Sequence, residues 1–292
     1  MNQSDSQQMM IDRFAGWGQN QPSVRAMLLT SSRTVPNGVV DVLSDYDVIL
    51  VTTDIQPYHA HRGWLSDFGR VLTLYRDPIL PEGGFETSGY IVQYEEGLKI
   101  DFTLWPVAYM RQIVDADQLP AELDAGYLVL LDKYNLTSGL RPPSYQAYIP
   151  TPPTETQYQE AIEVFFLDTI YMAKYLWRED MVAAKHMLDH FIKHEHLIPM
   201  LTWHFEITRH WTVKPSLFGR RLKHWLRPDL WDKLAVTYTG FDLQANWTAL
   251  FDTIDLYRLT AIEVGENLGY AYPHDLEQRV QAYIQKIRHL DR

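Results

Sequence analysis

Short apolar runs broken by glycine, proline, asparagine and aspartate fill the first half of the chain, and longer runs with a three-to-four-residue apolar repeat fill the second. In the first half, Arg25–Thr30, Tyr46–Thr52, Gly69–Tyr75, Tyr90–Tyr94 and Leu98–Trp105 are rich in Val, Ile, Leu and aromatic residues, which predicts β-strands. Glu95-Glu96-Gly97 between the last two predicts a tight hairpin. Helical segments are expected at the N-terminus, near Gly63–Phe68 and over Val107–Ala116. This half reads as a mixed α+β block.

The pattern changes at Arg141–Thr156, where Pro142, Pro143, Pro150, Pro152 and Pro153 interrupt both helix and central strand. A domain boundary is expected there, giving residues 1–145 and 146–292. Thr156 with Gln159 fits a helix N-cap and capping box. Beyond it helices are predicted at Asp180–Glu195, Ile198–His210, Ser216–Trp225, Pro228–Tyr238, Asn246–Leu268 and Asp275–His289. The expected fold class is α+β: an N-terminal mixed-sheet domain followed by an all-α helical bundle.

Composition narrows the function classes. The 292 residues are 46% hydrophobic and 22% charged, ample for a buried core in a globular protein. With no cysteine, thiolate zinc sites and disulfides are excluded. A net charge of −11 disfavours a nucleic-acid partner and favours cationic small molecules. The opening MNQSDSQQMMIDRFAGW lacks the basic-then-apolar layout of a signal peptide, and no apolar run approaches the roughly 20 residues of a membrane span. A cytoplasmic protein, monomeric or homodimeric and without a membrane partner, is expected.

The chemistry lies in SDYDVILV. Along a strand, Asp45 and Asp47 project to one face and Tyr46 to the other. The apolar run Val48–Val51 marks a strand covered on both faces. Two carboxylates at its mouth repel and resist desolvation unless a cation neutralises them, and Mg²⁺ with phosphate oxygens is suited to that task. A turn cap and an exposed strand start would explain the pair without any metal. Upstream, TSSR offers backbone N–H groups and hydroxyls after a strand, suited to a phosphate chain. Downstream, LKIDFTLW puts Lys99, Asp101 and Thr103 on one strand face, with Asp101 the lone acid of the run.

These features resemble the nucleotidyltransferase superfamily that includes DNA polymerase beta, whose pattern is Gly-Ser, a spacer, acid-x-acid and a third acid on a later strand. The chain is more specifically similar to the aminoglycoside 6-adenylyltransferase (streptomycin adenylyltransferase) family. LLTSSRTVPN, SDYDVILV and KIDFTLWP look like its N-terminal motifs. YMAKYLWRED, MLTWHFEI, VKPSLFGRRLKHWL, TYTGFDLQANWTALF and ENLGYAYP look like its helical domain, so the likeness runs from Met10 to Arg288. One departure is Ser31, where the family usually has glycine.

The resemblance implies AMP transfer from ATP to an aminoglycoside hydroxyl, with streptomycin as the expected acceptor. It implies Mg²⁺ on Asp45, Asp47 and Asp101, with Asp101 as metal ligand, general base or both. Ser31, Ser32 and Arg33 are then expected to bind phosphates, as are Lys174 and Arg178, which share a helix face; Lys214 is a weaker candidate of this kind. A guanidinium-bearing acceptor calls for acids and aromatic faces, for which Glu95, Asp180, Trp105 and Trp177 are candidates. Another hydroxylated acceptor, or a non-catalytic nucleotide-binding module, are the alternative readings. His186, His190 and His194 recur every fourth residue, yet Met187 stands where a metalloprotease motif has Glu, so surface or structural histidines are expected.

Overall fold

The computed structural model describes residues 3–36, 38–215 and 217–291, with the side chains of residues 3–6 left aside. It divides into two compact units, Met1–Tyr148 and Ile149–Arg292, and the division falls inside the proline-rich segment.

The first unit is built on a seven-stranded mixed sheet. Its strands are β1 (Val24–Thr30), β2 (Tyr46–Thr52), β3 (Val71–Arg76), β4 (Leu80–Glu82), β5 (Phe85–Tyr94), β6 (Lys99–Pro106) and β7 (Tyr127–Asp132). The main order is β3-β5-β6-β2-β1-β7, with β4 on β5. All neighbours are antiparallel except β2 and β6, which run parallel at the centre. Helices α1 (Gln3–Gln19), α2 (Gln56–Ala60), α3 (Val107–Asp115) and α4 (Ala121–Asp124) complete this unit.

Alternation along the central strands makes two cores. Tyr46, Val48 and Leu50 with Ile100, Phe102 and Leu104 face one side, where Phe14 of α1 and Leu65 and Phe68 pack against them. Ile49, Val51 and Trp105 face the other, under Tyr109, Met110 and Ile113 of α3. Each fully buried large apolar side chain contributes roughly 1.5–3 kcal/mol, so both faces resist any shift of register. Two strands go beyond those expected. Tyr127–Asp132 pairs with β1 at the sheet edge, marked by its apolar run Leu128–Leu131. Leu80–Glu82 turns through Gly83 and Gly84 into β5, which therefore begins at Phe85 rather than Tyr90. The segment expected as helix near Gly63 is a 3-10 helix, Arg62–Phe68.

The second unit is helical: α5 (Glu155–Trp177), α6 (Met181–His186), α7 (Ile198–Thr208), α8 (Leu222–Trp225), α9 (Pro228–Val236), α10 (Leu243–Leu268) and α11 (His274–Arg288). Its core centres on α5 and α10, where Phe165 and Tyr257 stack at 3.6 Å and 5°. Between α6 and α7, Met187–Leu197 is wound as a π-helix with helical dihedrals at both junctions. Pro199 has no N–H to donate to the preceding turn, and the winding widens just before it. The helix expected at Ser216–Trp225 is instead broken. Ser216 lies outside the described residues, Leu217–Gly219 is a 3-10 turn, and Phe218 (φ 56°) and Arg221 (φ 67°) are left-handed before the single turn of α8. Among the described residues no helix is long and apolar enough to cross a membrane.

The α5 N-cap is Thr154, not Thr156. Its hydroxyl accepts from the Gln157 N–H, while Gln157 Oε1 accepts from the Thr154 N–H at 2.8 Å, closing a capping box directly after Pro153. Thr154→Ala should therefore cost about 1 kcal/mol in chemical denaturation, whereas Thr156→Ala, on an exposed helical turn, should change stability by less than about 0.5 kcal/mol.

Candidate active site

Parallel pairing sets the site. Asp47 on β2 lies directly opposite Asp101 on β6, and Asp45 immediately precedes β2. All three acids gather at the end of the sheet where both parallel strands begin. Beyond them the same sheet face continues into the core of Ile49, Val51 and Trp105. The acids are thus the open margin of an otherwise covered face.

Lys99 also lies at this margin, two residues before Asp101. Its Nζ donates to Asp45 Oδ2 at 2.6 Å and to Asp101 Oδ2 at 2.9 Å. Asp101 Oδ1 is buried and has no hydrogen-bond partner among the described residues. Burial, then repulsion from Asp101 and Asp45, pushes the Asp47 carboxyl from 3.8 up to about 6, although the nearby Ser31 side chain and the charge of Lys99 pull it back. Burial likewise raises Asp101 against the pull of Lys99. Burial alone would lower Lys99, but its bonds to Asp45 and Asp101 outweigh that and hold it above its ordinary value.

The TSSR turn continues from β1, which is paired with β2. Ser31 opens a 3-10 turn with φ 64°, a left-handed conformation that favours glycine. The turn is closed by Thr34, whose N–H and Oγ1 both donate to the Ser31 carbonyl, at 3.0 and 2.9 Å. Ser32 Oγ makes no hydrogen bond among the described residues and is half-buried. Arg33, expected to bind phosphate, is directed elsewhere. Its Nε and Nη2 donate to the Asp45 and Ser44 carbonyls at 2.7 and 2.6 Å, and its guanidinium lies 3.7 Å from the centre of the Tyr46 ring. It ties the turn after β1 to the approach into β2.

The remaining expected residues separate. Trp105 is 1% exposed and packs on Tyr109 at 4.9 Å, so it is core and offers no platform to a ligand. Trp177 donates from Nε1 to the Leu290 carbonyl at 3.1 Å, beside a 180 Å³ cavity lined with Trp247 and Arg288. Its indole N–H serves the C-terminus of the second unit. Glu95 pairs with Arg70 at 3.1 Å at the hairpin tip. Asp180 is exposed at the start of α6. Lys174 and Arg178 lie at the end of α5, Lys174 5.4 Å from the centre of the Tyr171 ring and Arg178 exposed. The histidine triplet spans the end of α6 and the π-helix. His186 and His190 stack at 5.2 Å, and it is His196 that binds Asp168, at 2.8 Å.

Sequence reasoning passed over Asp77 and Gly89, and gave Lys99 no role. Gly89 sits opposite Thr103 on β5, and a Cβ there would meet Asp77 Oδ2 at 2.8 Å and the Phe102 carbonyl at 2.7 Å. Asp77 is close enough to Asp101 to add to the repulsion it feels. No local spacing announces this, because Asp77 follows the edge strand and arrives only by folding. Lys99 was legible as the i−2 neighbour of Asp101.

Among the described residues no group of three or more acids and histidines stands ready-made to hold a metal ion, and Lys99 binds two of the three acids instead. The donors nevertheless suit a hard divalent cation. They are carboxylate oxygens, one is buried without a partner, and their mutual repulsion calls for positive charge.

Residues 4–287 match the family model described as streptomycin adenylyltransferase. The aminoglycoside 6-adenylyltransferase of Bacillus subtilis (strain 168) is 28% identical over 97% of this chain and 98% of its own length. That of Campylobacter jejuni is 25% identical over 96% and 94%. That of Staphylococcus aureus is 24% identical over 94% and 95%.

Two stability measurements probe this geometry. Ser31→Ala should be less stable than Ser31→Gly by about 1 kcal/mol in denaturant titrations, since both lose the hydroxyl but only glycine relieves the left-handed backbone. Asp47 binds its proton more tightly folded than unfolded, so its contribution to stability falls as pH rises from 3.8 through about 6. Metal-free Asp47→Asn should match the wild type near pH 4 and exceed it by on the order of 1–2 kcal/mol near pH 7.5. A gap that does not widen with pH would exclude charge repulsion as the cause.

Proposed function

The chain belongs to the streptomycin adenylyltransferase family, and from that membership and the grouping of its three acids we propose that it transfers AMP from ATP to a hydroxyl of an aminoglycoside, with streptomycin as the acceptor. The observation that carries this reading is the pairing of Asp47 with Asp101 across β2 and β6, with Asp45 alongside. Mere nucleotide binding does not require three converging carboxylates, one with a lone pair free to take a proton.

In this reaction the acceptor oxygen forms a bond to the α-phosphorus, the bond from that phosphorus to the β-phosphate oxygen breaks, and pyrophosphate leaves. Asp45, Asp47 and Asp101 would hold Mg²⁺, which when bound offsets charge on the phosphates and on the attacking and leaving oxygens. Asp101, the third acid of the set, takes the hydroxyl proton. The Ser31 side chain favours the charged form of Asp47, and Ser32 supplies its hydroxyl to the triphosphate. Arg33 keeps Asp45 in place through its carbonyl.

The test is mass spectrometry of streptomycin incubated with the protein, ATP and Mg²⁺, together with pyrophosphate release. Adenylylated drug is expected from the wild type. Asp47→Asn and Asp101→Asn should each lower the rate by about 10³-fold or more with unchanged circular dichroism. A wild type that adenylylates no aminoglycoside would refute this reading.

A further inference from the structure

The contact that the proposed chemistry leaves unexplained is the one that already fills the site. Lys99 opens β6, and its ammonium has two partners, Asp45 Oδ2 and Asp101 Oδ2. These carboxylates are two of the three assigned to the metal. We propose that Lys99 is a displaceable internal counter-ion: it holds the acidic site together without metal, and yields Asp45 and Asp101 when a divalent cation enters. The inference rests on the metal reading of the acids given above.

Three features favour release over a permanent tie. First, the charges do not balance. One ammonium faces three carboxylates, so the site stays anionic with lysine bound, and a doubly charged ion gains more from the same oxygens. Second, Lys99 can leave. Its side chain is 28% exposed, and its partners Asp45 and Asp101 are 38% and 28% exposed, so the ammonium can swing toward water without disturbing the core. Third, the residue is a lysine. A point charge on a flexible stem gives up its partners more readily than the bidentate fork of an arginine. Arg33 is the contrast: it is committed to backbone carbonyls and an aromatic face, and serves as the fixed tie.

The arrangement solves two problems together. Without metal, Asp45, Asp47 and Asp101 would stand unneutralised at a partly buried margin, and the end of the parallel pair would splay. With a polycationic acceptor, bare acids would also attract ammonium or guanidinium groups to the place meant for the metal. Lys99 occupies them with a tethered cation that the metal can evict.

The test is titration with Mn²⁺ alone, following free ion by electron paramagnetic resonance, on the wild type and on Lys99→Met, which keeps the stem and removes the charge. Lys99→Met should bind Mn²⁺ roughly tenfold more tightly, and should melt below the wild type in chelator yet recover with Mn²⁺. Weaker or equal Mn²⁺ affinity in the variant would overturn the proposal, since a purely structural lysine predicts loss of the site. Should Lys99→Met not fold, Lys99→Gln is read by the same criteria. If neither wild type nor variant takes up Mn²⁺, the metal assignment falls and this inference with it. Tighter binding in the variant without AMP transfer in the wild type would instead uphold Lys99 and refute the transfer reading.

Discussion

Asp47 and Asp101 face each other across two parallel strands, and carboxylates in that position repel. The register that pairs them is fixed by Val48, Leu50, Phe102 and Leu104 on one face and Ile49, Val51 and Trp105 on the other, so repulsion cannot be relieved by sliding. The apolar cores thus supply the energy that keeps like charges together. The neighbouring polar groups compensate the strain: Lys99 bridges Asp45 and Asp101, Arg33 fastens the carbonyls of Ser44 and Asp45, and the Ser31 side chain favours the charged form of Asp47. A site assembled in this way is high in energy by itself and is stabilised by whatever cation it meets.

The backbone at Ser31 belongs to the same economy of position. A left-handed residue after β1 turns the chain sharply near Asp47, and glycine would make that turn with less strain. Serine keeps the turn and adds a donor. Serine at this position therefore combines a strained backbone with a side chain that favours the charged form of Asp47.

Much of this could be read from the sequence, and the misses have physical causes. Period-two alternation places Asp45 with Asp47 and Lys99 with Asp101, because a strand leaves side chains no other choice. It does not say which strands pair in parallel, since β2 and β6 are joined by a long crossover, so the direct opposition of Asp47 and Asp101 emerges only in the fold. Alternation also puts Trp105 on the acidic face, but not how deep it lies under α3. Arg33 reads as a phosphate ligand because its charge is visible and the carbonyls that claim it are not. Asp77 arrives over Gly89 from beyond the edge strand, with no local signal. In the helical half, the four-residue spacing does bring His186 and His190 together, but the pairing of His196 with Asp168 joins two helices and has no local signal.

The Glu95–Gly97 hairpin and the run from Arg33 to Ser44 flank the acids in sequence, and both lie outside the strands, so a change in their length leaves the period-two alternation intact. A change within the strands does not. One residue inserted between Lys99 and Asp101, or between Asp45 and Asp47, would turn an acid toward Phe14 and Phe68 and an aliphatic side chain toward the opening. The borders of this site can therefore change in length, while its centre tolerates only the exchange of one side chain for another.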